Sequence, residues 1–141
     1  MLDKPRQAPR DNVGAPDLVA EVRVLRREHE TLVEEVTQSA FALWPAILES
    51  DAAMRAKRED LSDTLRAIAA ATLVDDRDLV TDYVEWFESV LTGHGLPIAF
   101  VFSAFELFLA VLPTGLSHAR DMATSGREAC SKRTPGTEYS P

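Results

Sequence analysis

The sequence predicts an all-α protein: a small helical bundle, for which a globin-like topology is one arrangement, with disordered tails at both ends. Apolar residues recur at intervals of three and four, and no segment alternates with period two for long enough to form a strand. Residues 98–112 are apolar almost all the way round, so other helices, a partner chain or a bilayer must bury them. With 141 residues and 45% hydrophobic content, the chain is long enough for one core.

The first predicted helix follows a disordered arm. Residues 1–16 mix prolines, glycine and charges without periodicity, which is typical of a disordered segment. Asp17 is a favourable N-cap because its side chain can accept a hydrogen bond from the first turn. We expect one helix from Leu18 towards Trp44 and a second over about 52–73.

An apolar helical hairpin is predicted next. The acidic turn at 75–78 suits the positive end of a helix over about 79–91, and the glycines after it favour a helix end. A fourth helix over 98–112 stops at the Pro-Thr-Gly that follows, and a short helix at 116–122 is allowed. Three regions result: a disordered arm at 1–16, a helical domain at 17–122 and a disordered tail at 123–141.

Charge is distributed unevenly along the chain, whose net charge is −8. Residues 17–118 hold 18 acids and 8 bases, a net charge of −10, whereas the two flanks hold 5 acids and 7 bases. An acidic body repels phosphate backbones. Nucleic acid is therefore not an expected partner.

Three observations bear on the compartment. The single cysteine, Cys130, cannot form an intramolecular disulfide, and the N-terminus lacks the apolar core of a signal peptide. The apolar stretch 96–112 is shorter than the roughly 20 residues that a membrane span needs, and Glu106 interrupts it. We expect a cytoplasmic protein that does not cross a membrane.

A heptad seam runs along the first predicted helix, with positions separated alternately by four and three. These positions are Leu18, Val22, Leu25, His29, Leu32, Val36, Ser39 and Leu43. Valine at a with leucine at d favours two parallel strands, in which Glu21 would pair with Arg26 of the second chain. We therefore predict a homodimer. Its interface would comprise Leu18, Val22, Leu25, His29, Leu32 and Val36, with Phe102 and Leu109 from the fourth helix.

The same spacing also suits a helix that packs on its own chain, and the residues leave these two arrangements equally open. His29 in the seam has two interpretations. It is either a pH-sensitive group, since the unperturbed pKa of histidine is about 6.5, or a core histidine with one hydrogen bond. The second interpretation is favoured.

No pattern in the sequence indicates catalysis or metal binding. The three histidines are far apart, and no His-x-x-x-His, Glu-x-x-His or Cys-x-x-Cys occurs. Cys130 has no neighbouring activator, and there is no nucleophile elbow. His94, at a helix end, suits the helix dipole. We predict no enzyme activity, no metal and no cofactor.

Aromatic residues of the apolar hairpin offer one candidate ligand pocket. Tyr83, Trp86, Phe105 and Phe108 would bound a space between the third and fourth predicted helices. Such a space would take a small apolar molecule or a tetrapyrrole. Otherwise these residues are plain core, in which the indole of Trp86 packs inside. Glu106 either touches water or is a buried carboxylate with a partner.

Several segments resemble small helical bacterial sensor modules. They are 40–44, 79–86, 95–98, Ala104–Phe105 and Leu109. They resemble the non-haem, globin-like N-terminal domain of stressosome co-antagonist proteins, which dimerises, and the helical modules beside cobalamin-binding domains. The cobalamin signature Asp-x-His-x-x-Gly is absent, so cobalamin is not implied. Nothing like an anti-sigma-antagonist domain follows residue 112, so the resemblance implies a stand-alone module that acts through a partner chain.

The combined prediction is a non-enzymatic regulatory or protein-interaction module that dimerises and binds a protein partner. The alternative is a helical domain that binds a small apolar ligand or a tetrapyrrole. A filled core with an exposed seam on the first helix would favour interaction. A pocket open to solvent would favour ligand binding.

Overall fold

A computed structural model describes residues 17–43, 50–93 and 99–133, and within these ranges the chain forms six α-helices and no strand. The predicted all-α fold is confirmed. The helices are α1 (Leu18–Arg27), α2 (His29–Leu43), α3 (Asp51–Val74), α4 (Arg77–Gly93), α5 (Ala99–Val111) and α6 (Ser117–Arg133). The predicted arm at 1–16 lies outside the described residues, as do Trp44 and His94.

Two helices, α1 and α2, take the place of the single helix predicted from Leu18 towards Trp44. Glu28 separates them, with φ of −97° and ψ of 9°. Helical hydrogen bonding nevertheless continues through this residue. The amide of Glu28 donates to the carbonyl of Val24 at 2.8 Å, and the amide of Leu32 donates to the carbonyl of Glu28 at 2.9 Å. The interruption is therefore a local deviation and not an unwound loop.

Polar side chains define where several helices begin and end. Asp17 accepts a hydrogen bond from the amide of Ala20 at 3.0 Å, which confirms the predicted N-cap. Ser50 caps α3 in the same way, accepting from the amide of Ala53 at 2.9 Å. α3 ends at Val74, and its C-cap residue Asp75 has a φ of 56°, in the left-handed region that aspartate tolerates better than most residues. The chain can therefore turn sharply into α4.

The apolar helix α5 is covered by helices of its own chain. It packs most extensively on α6 and next on α2. Its buried residues are Val101, Ala104, Phe105 and Phe108. Glu106 lies on the wet side of this helix, with its carboxylate half exposed and 3.9 Å from the guanidinium of Arg127. The water-facing interpretation of Glu106 is therefore correct.

The last helix is much longer than the sequence predicts. α6 continues to Arg133, so the prediction of a disordered tail is wrong for residues 123–133. Its buried face follows helical spacing and consists mainly of small residues: Ala119, Met122, Ala123, Gly126, Ala129 and Cys130. Small side chains carry little apolar signal in a sequence, yet they allow close approach to α5. Residues 134–141 lie outside the described ranges.

A buried carboxylate ties α6 to α1. Glu21 is only 6% exposed. Its Oε1 accepts from the amide of Ala119 at 2.8 Å, and its Oε2 accepts from the amide of His118 at 3.2 Å. These amides belong to the first turn of α6 and have no partner within their own helix. Glu21 thus caps α6 and does not occupy the position expected for an intermolecular pair with Arg26.

The guanidinium of Arg120, on α6, caps the C-terminal end of α5. Nη1 of Arg120 donates to the carbonyl of Leu109 at 2.7 Å and to that of Leu112 at 2.8 Å. Carbonyls in the last turn of a helix have no partner within the helix, so this side chain satisfies two of them at the end of α5.

None of the described helices is long and apolar enough to cross a bilayer.

Candidate functional site

A cavity of about 220 Å³ opens between α3, α4 and α5, and its wall is mostly apolar. Its volume exceeds the roughly 150 Å³ of an engineered apolar cavity that binds benzene. It is smaller than the roughly 300 Å³ at which pockets for drug-sized ligands begin. The space therefore suits a molecule somewhat larger than benzene.

One face of α3 forms the longest wall of this cavity. Each lining residue of this helix has another one three or four positions away, which places them on one side. They are Ala53, Ala56, Lys57, Asp60, Leu61 and Thr64. The alanines at 53 and 56 are short, so space remains between α3 and the helices opposite it. Phe87 and Leu91, one helical turn apart, line the cavity from α4. The lining residues of α5 are Phe100, Val101 and Ala104.

Two charged groups of opposite sign lie in the cavity wall. Nζ of Lys57 is 4.8 Å from the centroid of the Phe100 ring, which is a cation–π distance. Burial lowers the pKa of the Lys57 ammonium, and the nearby Asp60 carboxylate opposes this shift. Burial likewise raises the pKa of Asp60, which Lys57 lowers and Asp63 and Glu59 raise. Each group would therefore be stabilised in its charged form by a further charge of opposite sign.

The hydroxyl groups beside the cavity are already engaged. Oγ1 of Thr64 donates to the carbonyl of Asp60 at 3.0 Å and lies 2.8 Å from the hydroxyl of Tyr83. Burial is the main cause of a raised pKa for Tyr83, so the phenol stays protonated at neutral pH. This pair joins α3 to α4 at the edge of the cavity.

The four predicted pocket residues lie in different surroundings. Phe105 and Phe108 are fully buried in the core, whereas Trp86 is 57% exposed, so the prediction of a core tryptophan is wrong for it. Tyr83 contacts both Trp86 and Phe87 through its ring, with centroids 6.1 and 5.5 Å away. The observed cavity uses Phe87 and Phe100 instead. The signal that could have revealed it is the face of small residues on α3.

The predicted interface residues of the heptad seam are placed against their own chain. Four of them are buried: Val22, Leu25, Leu32 and Val36. Leu25, Leu32 and Val36 belong to the main hydrophobic core. Leu18, His29, Phe102 and Leu109 are partly buried. The last two seam positions, Ser39 and Leu43, are exposed, Leu43 at 57%. The arrangement in which the first helix packs within its own chain therefore accounts for most of the seam.

His29 lies in a groove between α2 and α3, away from the cavity. Its Nε2 is 2.7 Å from Oγ of Ser62, which fits the interpretation of a histidine with one hydrogen bond. Burial, reinforced by Arg66 and opposed by Glu30, lowers the pKa of His29. A serine beside a neutral imidazole is the first half of a nucleophilic triad. Within the described residues no carboxylate hydrogen-bonds the other ring nitrogen, so the triad is not formed.

Among the described residues no group of three or more histidine, cysteine, aspartate or glutamate side chains is arranged to hold a metal ion. The described residues thus form a small all-α bundle with a mostly apolar cavity whose wall carries two charges. No known protein family matches the sequence, and no curated protein shows significant similarity to it.

Proposed function

We propose that this chain is a non-enzymatic ligand-binding module that takes a small, largely apolar molecule into the cavity between α3, α4 and α5. The observation that supports this proposal is the cavity itself, about 220 Å³ with a mostly apolar wall. Three helices surround this space with mostly apolar side chains, so an apolar molecule can occupy it in place of water. A tetrapyrrole is much larger than this volume, and the proposal is restricted to smaller ligands.

Thermal unfolding with ethylbenzene, a neutral apolar probe, tests this function. A ligand that binds only the folded chain stabilises it by about 1.4 kcal/mol at ten times its dissociation constant, so the melting temperature should rise. Ala53→Leu places a larger side chain in the cavity wall and should abolish the rise. Ala70→Leu, on an exposed position of the same helix, is the matched control and should keep it. No rise in the wild type, or an equal rise in Ala53→Leu, would contradict the proposal.

A second candidate function is the binding of a protein partner, supported by the exposed apolar residues around the start of α4. Leu79 and Trp86 lie seven residues apart and therefore on one face of this helix, and both are exposed. Leu73 and Val74, at the end of α3, are also exposed. Tryptophan is enriched among residues that dominate binding energy at interfaces.

Charge favours a basic partner for this face. Residues 75–86 hold five acids and one base. Two copies of the chain would bring these acids together, whereas a partner with basic residues around an apolar groove would be attracted. Binding of such a partner in response to the ligand would constitute the regulatory role that the sequence predicts.

Trp86→Gln tests this second function, because it removes the exposed ring and leaves every residue of the cavity wall in place. In a pull-down from the host lysate, the wild type should capture a partner protein that Trp86→Gln does not capture. Leu43→Gln, which changes an exposed apolar residue of α2, is the control and should capture the partner as the wild type does. Retention of the same proteins by Trp86→Gln would contradict a role for this face. Homodimerisation stays a prediction, and sedimentation over about a hundredfold range of protein concentration tests it.

A further inference from the structure

The wall of the cavity presents a cation and an anion about one helical turn apart. Lys57 and Asp60 are separated by three positions on α3, so they point to the same side of the helix. Both side chains are half buried. No salt bridge within 4.0 Å joins them, although each influences the other electrostatically. The site therefore offers two opposite charges that are close together but not paired, beside an apolar space.

We propose that the cavity binds an apolar α-amino acid of the size of leucine or phenylalanine, with the ligand carboxylate at Lys57, its ammonium at Asp60 and its side chain in the apolar space. This inference rests on the proposed ligand-binding function and specifies its ligand class. The apolar part of the site is formed by Phe87, Leu91, Val101 and Ala104.

Charge complementarity distinguishes this class from simpler ligands. A carboxylate without an amine would meet Lys57 but be repelled by Asp60, and an amine without a carboxylate would meet Asp60 but be repelled by Lys57. A neutral hydrocarbon would displace water from both charges and give them no partner. A zwitterion supplies each half-buried charge with its opposite and leaves the net charge of the site unchanged.

The position of Lys57 supports the same assignment. Its ammonium lies over the Phe100 ring, which lines the cavity, so the stem of this lysine follows the apolar wall while the charged end remains at the site. An aromatic face occupies one side of an ammonium and leaves its other donors available for a carboxylate. Thr64 cannot replace Lys57 as a donor to the ligand, since the hydroxyl of Thr64 already donates to the carbonyl of Asp60.

Calorimetric titration of the wild-type chain with four related probes tests the ligand class. L-Phenylalanine has both charges, 3-phenylpropionate has only the carboxylate, 2-phenylethylamine has only the ammonium, and ethylbenzene has neither. We expect phenylalanine to bind about tenfold more tightly than each of the other three, because charged hydrogen bonds contribute more than neutral ones. L-Leucine should bind within about tenfold of phenylalanine.

Two variants separate the roles of the charges. Lys57→Met and Asp60→Asn should each weaken phenylalanine binding by about tenfold, and Asp60→Asn should strengthen binding of 3-phenylpropionate by removing repulsion. Asp82→Asn removes the same charge from an exposed position on α4 that does not line the cavity, and should leave the affinities nearly unchanged. Circular dichroism verifies folding, and the wild-type probe series decides the question for any variant that does not fold.

The outcomes distinguish this inference from the proposed function. If 3-phenylpropionate or 2-phenylethylamine bound most tightly of the four probes, the proposal of a zwitterionic ligand would be overturned. The site would then be one that recognises a single charge. Binding of ethylbenzene without binding of phenylalanine or leucine would overturn the inference and leave the ligand-binding function standing. Binding of none of the probes would overturn both.

Discussion

At the scale of single residues, Gly126 sets how closely α6 approaches α5. A Cβ built on this glycine would lie 2.3 Å from Cε1 and 2.4 Å from Cζ of Phe105. The ring is fully buried, so it has little room to move aside. The absence of a side chain at 126 is therefore a packing requirement and not a matter of backbone conformation.

Gly126→Ala should lower the free energy of unfolding by about 1–3 kcal/mol, because overpacking outweighs the better helix propensity of alanine. Gly93→Ala is the matched control. A Cβ on Gly93, at the end of α4, would contact nothing within 4 Å, so this variant should be close to neutral. Urea unfolding of the two variants measures the difference. Equal stability would mean that Phe105 moves without penalty.

His29 is the second residue that leads to a testable effect. Its lowered pKa means that the unfolded chain binds a proton more readily than the folded chain between the folded-state value and the ordinary value of about 6.5. The stabilisation by neutral His29 is therefore fully present above about pH 6.5 and is lost as the pH falls through the folded-state pKa.

We expect wild-type stability to decline more steeply than that of His29→Gln when the pH is lowered from about 7.5 to about 5.5. Urea unfolding at both values gives the two slopes. The glutamine cannot be protonated, so only the remaining groups titrate in the variant. The same decline in both proteins would show that His29 does not contribute to the acid sensitivity of the fold.

At the scale of elements, the pairing of α5 with α6 depends on polar groups as well as on apolar packing. Arg120 of α6 satisfies two carbonyls at the end of α5, and Glu21 of α1 satisfies two amides at the start of α6. Both helix ends are partly buried, where an amide or carbonyl without a partner is costly. These two side chains therefore determine how the last helix is joined to the bundle.

Arg120→Met should reduce the free energy of unfolding by about 1–3 kcal/mol, since it removes two charge-assisted hydrogen bonds from α5. Arg127→Met, two turns further along α6, removes only a loose ion pair of 3.9 Å with an exposed Glu106. Its effect should be below about 0.5 kcal/mol. Chemical denaturation of the two variants makes the comparison, and equal losses would contradict a capping role for Arg120.

At the scale of the whole molecule, the six helices of the described ranges share one core that includes most of the predicted seam. Leu25 is 1% exposed and Val36 is fully buried, in contact with other helices of the same chain. The cavity lies at one side of this core, where α3 presents small residues to α4 and α5. A dimer, if formed, would have to use other surfaces.

Leu25→Ala should destabilise the folded chain by about 2–5 kcal/mol, and this loss should not depend on protein concentration. Leu43→Ala, at an exposed position of the same seam, should change stability by less than about 1 kcal/mol. Unfolding midpoints measured at low and high protein concentration provide the test. A loss that disappears at high concentration would indicate that the seam joins two chains.

Local patterns in the sequence are sufficient for the helical fold, the N-cap at Asp17, the extent of α3 and the turn between α3 and α4. These features depend on neighbouring residues, whose periodicity and capping chemistry can be read along the chain. The length of α6 could not be read in this way, because small residues such as Ala123 and Gly126 become apolar contacts only when α5 lies against them.

The sequence by itself therefore determined what kind of protein this is: an acidic all-α chain whose apolar stripes require burial. Only the tertiary structure decided what buries each stripe. It placed Leu25 inside, left Trp86 outside and brought Lys57 and Asp60 to an apolar space beside Phe87. The physical reason is that periodicity specifies which face of a helix is apolar, whereas the neighbour of that face depends on how distant segments pack.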